Sequence, residues 1–280
     1  MIIQKLSRKI VYHLYILIPF RPLKPSSEPI DVVIPILQKD LKILPLCLEG
    51  VRRCVVNQVK DIYIVSPRDE RIIEFCKDRE LVYVDEASLF DFSPKDMKLM
   101  VGNDKRDRSG WLFQQFIKLS GKIGTCENYL CIDADHILIR PHVFLTTKGL
   151  PVFYKSSEYH KPYTDSVEKL TGQKHFAFLS YVAHKMCFNK TKLKELHRVL
   201  EEKEEGKTWT QVIIDSYDRR EGSGISEFQL YGHYVDRKIE RPWLEHDLLY
   251  DKLEDYAELC KQYSHRYASV TFPEWMNKIE

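Results

Sequence analysis

Tyr129-Leu130-Cys131-Ile132 runs straight into Asp133-Ala134-Asp135, and His136-Ile137-Leu138-Ile139 follows before Arg140-Pro141 stops the pattern. Apolar runs this short, rich in β-formers and bounded by turn residues, are buried strands. Asp133 and Asp135 therefore fall where a core strand ends, at the carboxyl edge of its sheet. Open α/β sheets collect their ligands at that edge. Taking two carboxylates out of water costs several kcal/mol unless a cation or hydrogen-bond donors compensate. A hard divalent cation meets that cost: oxygen ligands suit Mg²⁺ and Mn²⁺, and Mg²⁺ is commonly held by one or two carboxylates plus substrate phosphates. The plain alternative is an Asx turn with two solvated aspartates.

Around this motif the pattern is α/β. Ile30–Pro35 is a first core strand, Leu41–Val56 a helix, and Asp61–Pro67 a second strand. Asp69 caps a helix through Phe75, and Leu81–Asp85 is a third strand. Strands alternating with helices make a Rossmann-like, mostly parallel sheet flanked by helices. The first strand is not followed by GxGxxG, which disfavours a dehydrogenase. Lys95–Ser109 is polar and charged and is expected to be an exposed loop. Gly110–Leu119 is an amphipathic helix on which Gln114, Gln115 and Lys118 share a face, since residues three or four apart are neighbours. That face meets a phosphate or sugar, or else solvent; Lys118 is the best phosphate candidate.

After the motif, Pro151–Tyr154 is a further strand. Glu158-Tyr159-His160-Lys161-Pro162-Tyr163 is a polar–aromatic loop, suited to stacking on sugar rings or simply lying at the surface. Phe178–Phe188 is apolar enough for a strand and is interrupted by His184 and Lys185; His184 is either a bonded core histidine or a site residue. Helices follow at Thr191–Glu202 and Thr210–Tyr217.

Gly222-Ser223-Gly224 then leads into Ser226-Glu227-Phe228-Gln229. Ser226-x-x-Gln229 is a capping-box start, so Glu227 lies in the first turn of a helix. A first-turn acid is favoured by the helix dipole alone. A glycine-lined carboxylate is also placed to take a proton from an acceptor hydroxyl, and such general bases contribute about 10²–10⁴-fold. The dipole lowers its basicity, and partial burial would have to offset that. A carboxyl-terminal histidine is expected to complete the metal shell; His246 and His265 compete for that place, and His246 is taken as the ligand.

The chain has 280 residues, enough for a sizeable core, and 43 basic against 41 acidic residues give a net charge of +2. That balance excludes a polyanion-binding protein by bulk charge, though not a local basic patch, and no nucleic-acid partner is expected. Seven cysteines show neither CxxC nor CxxH spacing, which fits reduced, buried thiols in a cytosolic setting. Residues 1–28 stand apart from the domain at 29–280. Ile10–Ile18 is apolar but too short for the roughly 20 residues a bilayer needs. Lys5, Arg8 and Lys9 flank it on one side and Arg21 and Lys24 on the other. The segment is either a basic interfacial helix on anionic lipid, at the inner face of the cytoplasmic membrane, or a helix packed on the domain.

Asp133-Ala134-Asp135 resembles the DxD motif of the GT-A glycosyltransferases. Its context from Ile30 to Tyr234 is similar to a bacterial family of glycosyltransferase-like proteins catalogued as a domain of unknown function. The opening strand with Pro35, Gly110-Trp111 with Gln114-Gln115, Ile132-Asp133-Ala134-Asp135, and Ser226-Glu227-Phe228 with Tyr231-Gly232 carry the likeness by order and spacing. The resemblance implies a GT-A fold and transfer of a sugar from a nucleotide-diphosphate donor, with Mn²⁺ or Mg²⁺ as cofactor. It implies that Asp133 faces the donor and Asp135 ligates the metal. Pro35, Ile36 and Ser66 would border the nucleotide, and Glu227 would fall at the acceptor base of inverting enzymes. Glu158, Tyr159 and His184 would then meet the acceptor, a glycan or lipid-linked sugar in bacterial surface-glycan assembly. The rivals are a sugar nucleotidyltransferase, whose glycine-rich basic loop is missing after Pro35, and a non-catalytic carbohydrate or nucleotide-sugar binding protein.

Overall fold

The computed structural model describes residues 2–174, 179–274 and 276–277. After α1 (Ile2–Ile16) comes β1 (Ile30–Pro35), buried at all six positions, as a strand covered on both faces by helices requires. A single 3-10 turn at Gln38–Lys42 precedes α2 (Leu44–Cys54), so the expected helix is broken at Ile43. α2 buries Leu44, Cys47, Leu48, Val51 and Cys54, the i, i+3, i+4 spacing of one helical face. β2 (Val59–Ser66), α3 (Glu70–Asp78) and β3 (Val82–Asp85) follow, with the Asp69 side chain accepting the Arg71 amide at the start of α3.

The charged stretch expected to be a loop is partly ordered as α4 (Pro94–Met97) and a short hairpin of β4 (Met100–Val101) and β5 (Arg106–Asp107). Asp96 accepts from the Ser93 amide at 2.7 Å and closes a capping box that its sequence spacing permits. Then come α5 (Ser109–Leu119), the central β6 (Asn128–Ile132), β7 (His136–Leu138), β8 (Val152–Lys155) and α6 (Lys161–Thr171). β9 (Lys185–Asn189), α7 (Lys190–Glu201), α8 (Trp209–Ser216) and α9 (Glu227–Tyr234) complete the main layer. β10 (Ile239–Pro242), β11 (Glu245–Asp247), α10 (Tyr256–Tyr263) and β12 (Ser269–Thr271) close the described chain.

The main sheet runs β3-β2-β1-β6-β9. β1 is parallel to β2 and β6, β2 is parallel to β3, and β9 alone is antiparallel, against β6. Side chains alternate across it with period two. Val33, Tyr129 and Cys131 join the core under α5 and α7–α9, while Val32, Ile34, Leu130 and Ile132 join the core under α2 and α3. Because four strands run the same way, Pro35, Ser66, Asp85 and Ile132 end at one edge, where the candidate site lies.

β7 leaves the main sheet immediately after the Asp133–Asp135 turn and pairs with β12, which pairs with β11. Gly50 permits this: a Cβ there would lie 2.8 Å from the Leu138 carbonyl oxygen, so α2 and β7 touch backbone to backbone. The strand expected from Phe178 begins only at Lys185, because His184 takes a left-handed backbone (φ 58°) that ends any extended path arriving from its amino-terminal side. Phe178 itself and Trp275 lie outside the described residues. All seven cysteines are free, six of them buried. Among the described residues no helix is long and apolar enough to cross a membrane. α1 packs on the domain through Tyr12, which is buried, and Tyr15, whose hydroxyl donates to the Glu240 carbonyl at 3.1 Å.

Candidate active site

The turn after β6 has its backbone tied on three sides. The Asp133 amide donates to the His184 carbonyl (2.9 Å), the His136 amide to the Asp133 carbonyl (3.0 Å), and the Phe272 amide to the Asp135 carbonyl (3.0 Å). These bonds hold both aspartates partly exposed at the sheet edge while Ala134 between them is buried. The turn is thus closed by a bond of its own and anchored by the segment before β9 and by the residue that follows β12.

Lys118 reaches this turn from the end of α5. Its Nζ lies 2.6 Å from Asp133 Oδ1 and 2.7 Å from Glu227 Oε1. Lysine and glutamate are almost wholly buried, with side chains 7% and 3% exposed. An ammonium in such a place persists only because two carboxylates face it. Burial opposes its charge, but Asp133 and Glu227 overcome that and hold its pKa above the usual lysine range. The best phosphate candidate of the sequence is therefore committed to two carboxylates. Gln115 is also buried and donates Nε2 to the Trp111 carbonyl of its own helix (3.2 Å), whereas Gln114 is half-buried, one turn before Lys118.

His184 stands on the other side of Asp133. Its Nδ1 is 3.2 Å from Asp133 Oδ2, and its ring stacks on His136 at 5.4 Å between centroids. Asp133, Asp135 and His184 offer three ligating atoms that all lie within 4.8 Å of one another. Among the described residues this is the group of three able to hold a metal ion. His246 is elsewhere: it sits on β11 with its ring stacked on Tyr267 at 4.7 Å. The histidine beside the aspartates comes instead from the segment preceding β9, and its left-handed backbone conformation is what turns its side chain into the site. No sequence period encodes that conformation, although histidine adopts it more readily than most residues.

The charges in the cluster are unequal. Burial works against the Asp133 carboxylate, but Lys118 and His184 hold it well below the ordinary carboxylate range. Burial pushes Asp135 up to about 7, with His184 opposing and Asp133 adding to the rise. Burial also opposes His184, yet the bond to Asp133 and the charges of Glu245, Asp133 and Asp135 raise it to about 10. One acid of the pair is thus neutralised by lysine and histidine, and the other lacks a cation of its own. A divalent ion at that second carboxylate would displace the His184 proton and be held by Asp133, Asp135 and the neutral imidazole.

Glu227 starts α9 as expected, with Ser226 Oγ accepting the Gln229 amide (3.3 Å). The second half of the capping box is absent. The Gln229 side chain turns away and accepts from the Tyr181 amide at 2.8 Å, so α9 secures the segment that carries His184. A Cβ on Gly232 would sit 2.4 Å from the Tyr181 ring, so only glycine lets α9 approach that closely. Burial raises the Glu227 pKa above the ordinary range, although Lys118 opposes it. Pro35 and Ile36 are buried at the carboxyl end of β1, and Ser66 is buried at the end of β2 with Oγ bonded to the Pro67 carbonyl (2.8 Å). Glu158 is exposed before α6 and faces the same charges: desolvation of its carboxylate pushes it up to about 7, with His184 lowering it and Glu245, Asp247 and Glu227 raising it. Tyr159 stacks under Arg8 of α1, 3.8 Å from guanidinium carbon to ring centroid.

Behind the cluster lies a buried network not anticipated from the sequence. Lys185 Nζ is 2.9 Å from both His136 Nε2 and the Ala183 carbonyl, and 3.3 Å above the Trp243 ring. His136 Nδ1 reaches Thr271 Oγ1 at 2.8 Å. This network supports the face of His136 on which His184 stacks.

Residues 27–275 match the family described as a family of unknown function, DUF6492. The chain belongs to that family. No protein with a curated description matches the DUF6492 chain by sequence. Among solved structures, mouse xyloside xylosyltransferase 1 in its apo form is similar with a TM-score of 0.51 and 11% identity, over 89% of this chain and 99% of that one. An active-site mutant of LgtC gives 0.49 at 12% identity, over 87% of each chain. The galactosyltransferase LgtC with donor and acceptor sugar analogues gives 0.48 at 11%, again over 87% of each. At this identity the likeness to the xylosyltransferase is one of fold, and the DUF6492 chain has the GT-A fold, with its DxD turn beside a central strand.

Proposed function

We propose that this protein is a metal-dependent glycosyltransferase. It moves a sugar from a nucleotide-diphosphate donor to a hydroxyl of a glycan or lipid-linked sugar in bacterial surface-glycan assembly. The observation that carries this reading is the Asp133–Asp135–His184 cluster at the carboxyl edge of the sheet, with ligating atoms within 4.8 Å of one another. Mn²⁺ or Mg²⁺ bound there supplies Lewis-acid neutralisation of the diphosphate as it leaves.

The chain's own residues do the rest. Lys118 holds Asp133 ionised through Oδ1 and leaves Oδ2 toward His184. Pro35, Ile36 and Ser66 border the nucleotide, and Gln114 and Gln115 lie along the same helix as Lys118 on the donor side. Glu158 and Tyr159 meet the acceptor. Glu227 takes the proton of the acceptor hydroxyl as the new glycosidic bond forms and the anomeric carbon–diphosphate bond breaks. Its raised pKa suits that exchange. A base on the acceptor side makes the transfer a single displacement, with inversion at the anomeric carbon.

The test is thermal stability against a panel of nucleotide sugars, with and without Mn²⁺, in the native chain and in Asp135→Ala. A ligand at 100 times its Kd stabilises by about 2.7 kcal/mol. For a chain near this size that is a Tm rise of roughly 5 °C. The expected result is a rise for one nucleotide class that needs Mn²⁺ and vanishes in Asp135→Ala. No rise with any donor, or one that Asp135→Ala leaves intact, removes the reading.

A further inference from the structure

α1 has two opposed faces. Arg8, Tyr12 and Tyr15, at i, i+4 and i+7, dock on the domain through the Tyr159 ring, burial of Tyr12, and the Glu240 carbonyl. On the other side Ile10, Leu14, Leu17 and Ile18 project outward, with Leu14 60% and Leu17 76% exposed. They supply four of the nine exposed large apolar side chains among the described residues, gathered within nine positions. The i, i+4, i+7, i+8 spacing makes them one stripe, since the Leu17 and Ile18 amides continue the turn to the Leu14 and Tyr15 carbonyls.

Charge selects what covers this stripe. Five of the chain's 43 basic residues and none of its 41 acidic ones precede Glu28, so the rest of the chain is net acidic. Lys9 directly precedes the stripe in the chain, Arg21 and Lys24 follow it within six positions, and all three are exposed. An apolar stripe flanked in the chain by cations, with no acid before Glu28, fits the plane of an anionic bilayer, where leucine and isoleucine enter the acyl boundary and lysine and arginine meet headgroup phosphates.

We propose that α1 is an in-plane anchor on an anionic lipid bilayer, seated through Ile10, Leu14, Leu17 and Ile18, and that it presents the Glu158–Tyr159 loop to an acceptor carried in that bilayer. The anchor stands on α1 alone; the acceptor half rests on the glycosyltransferase reading. The link between them is short. Arg8 of α1 covers Tyr159, and His160 beside it bonds the Ser223 carbonyl at 2.7 Å, in the segment that leads into Glu227. Docked on the bilayer, α1 brings the acceptor side of the site to the membrane surface and leaves the donor side, at the ends of β1 and β2, to nucleotide sugars from solution.

The experiment is flotation of the full chain with vesicles of phosphatidylcholine alone and of phosphatidylcholine with phosphatidylglycerol, at low and high salt, without nucleotide sugar. Leu14→Ser with Leu17→Ser, and Arg21→Ser with Lys24→Ser, alter exposed side chains only, so the fold is retained. The native chain floats with the anionic vesicles and is released by salt. The leucine pair loses at least about tenfold in partitioning. Each basic residue near such a surface is worth roughly fivefold, so the basic pair loses roughly 25-fold. Three results overturn the anchor: no flotation with anionic vesicles at low salt, unchanged flotation of the leucine pair, or a concentration-dependent dimer through the stripe that ignores vesicles. The nucleotide-sugar shift, measured on the same proteins without lipid, separates the two readings. Flotation without any donor shift keeps the anchor and overturns the acceptor half.

Discussion

Lys118→Met keeps the length of the side chain and removes the cation shared by Asp133 and Glu227. At contacts of 2.6 and 2.7 Å, each ion pair carries roughly 6 kcal/mol of attraction at an effective dielectric near 20, before desolvation is subtracted. What the substitution exposes is the other side of that balance: Glu227, 2% exposed, is left as a buried carboxylate facing Asp133. Breaking a buried pair in this way costs about 3–5 kcal/mol. For a chain of this size Tm then falls by roughly 6–10 °C. The pH dependence identifies the cause. Burial already holds Glu227 above the ordinary range against Lys118, and without the lysine it rises further. A carboxyl with a folded pKa above its unfolded value of about 4.3 contributes stability below 4.3 that is lost as pH rises through the folded value. The deficit of Lys118→Met is therefore smallest near pH 4 and grows toward pH 8. Urea unfolding of Lys118→Met, Glu227→Gln and the double variant across that range checks this. A coupling energy of about 1–3 kcal/mol at pH 7 is expected, because the double variant leaves Glu227's charge absent as well. Additive single effects, or a deficit independent of pH, refute the shared-cation account.

Glu227→Gln should preserve the Mn²⁺-dependent nucleotide-sugar shift while lowering turnover by about 10²–10⁴-fold; steady-state transfer at saturating donor measures it, and unchanged turnover removes Glu227 from the proton transfer. His197, on α7, sets a separate acid limit. Its ring stacks on Trp209 at 4.2 Å, and burial pushes its imidazole down to about 4 although the Leu119 carbonyl accepts its N–H. The unfolded chain takes up that proton near pH 6.5 and the folded chain only near pH 4, so stability falls as pH drops through this window, by roughly 3 kcal/mol in all. His197→Gln should flatten the fall between pH 6.5 and 4 in urea titrations; an unchanged slope assigns the acid sensitivity to other groups.

The strands β1, β2, β3 and β6 are legible in the sequence because each is a short apolar run between turn residues, and for β1 and β6 burial on both faces demands such runs. The start of α9 is legible too, since Ser226 caps the backbone it precedes and capping is a local interaction. The Asp133-Ala134-Asp135 turn is legible for the same reason: two carboxylates at a strand end stand out against apolar neighbours. The sequence offered His184 as an acceptor contact, but its place beside the two aspartates was hidden, because its approach to Asp133 depends on a left-handed backbone residue and on a segment 51 positions away held by Gln229. The commitment of Lys118 to two carboxylates was equally hidden. A lysine on an amphipathic helix has the same pattern whether it faces a phosphate or a buried acid, and only the packing of α5 against α9 and β6 brings Asp133 and Glu227 to its Nζ. Local period and capping are written into neighbouring residues; which charges meet in the interior is decided by burial, which exists only once distant segments have packed.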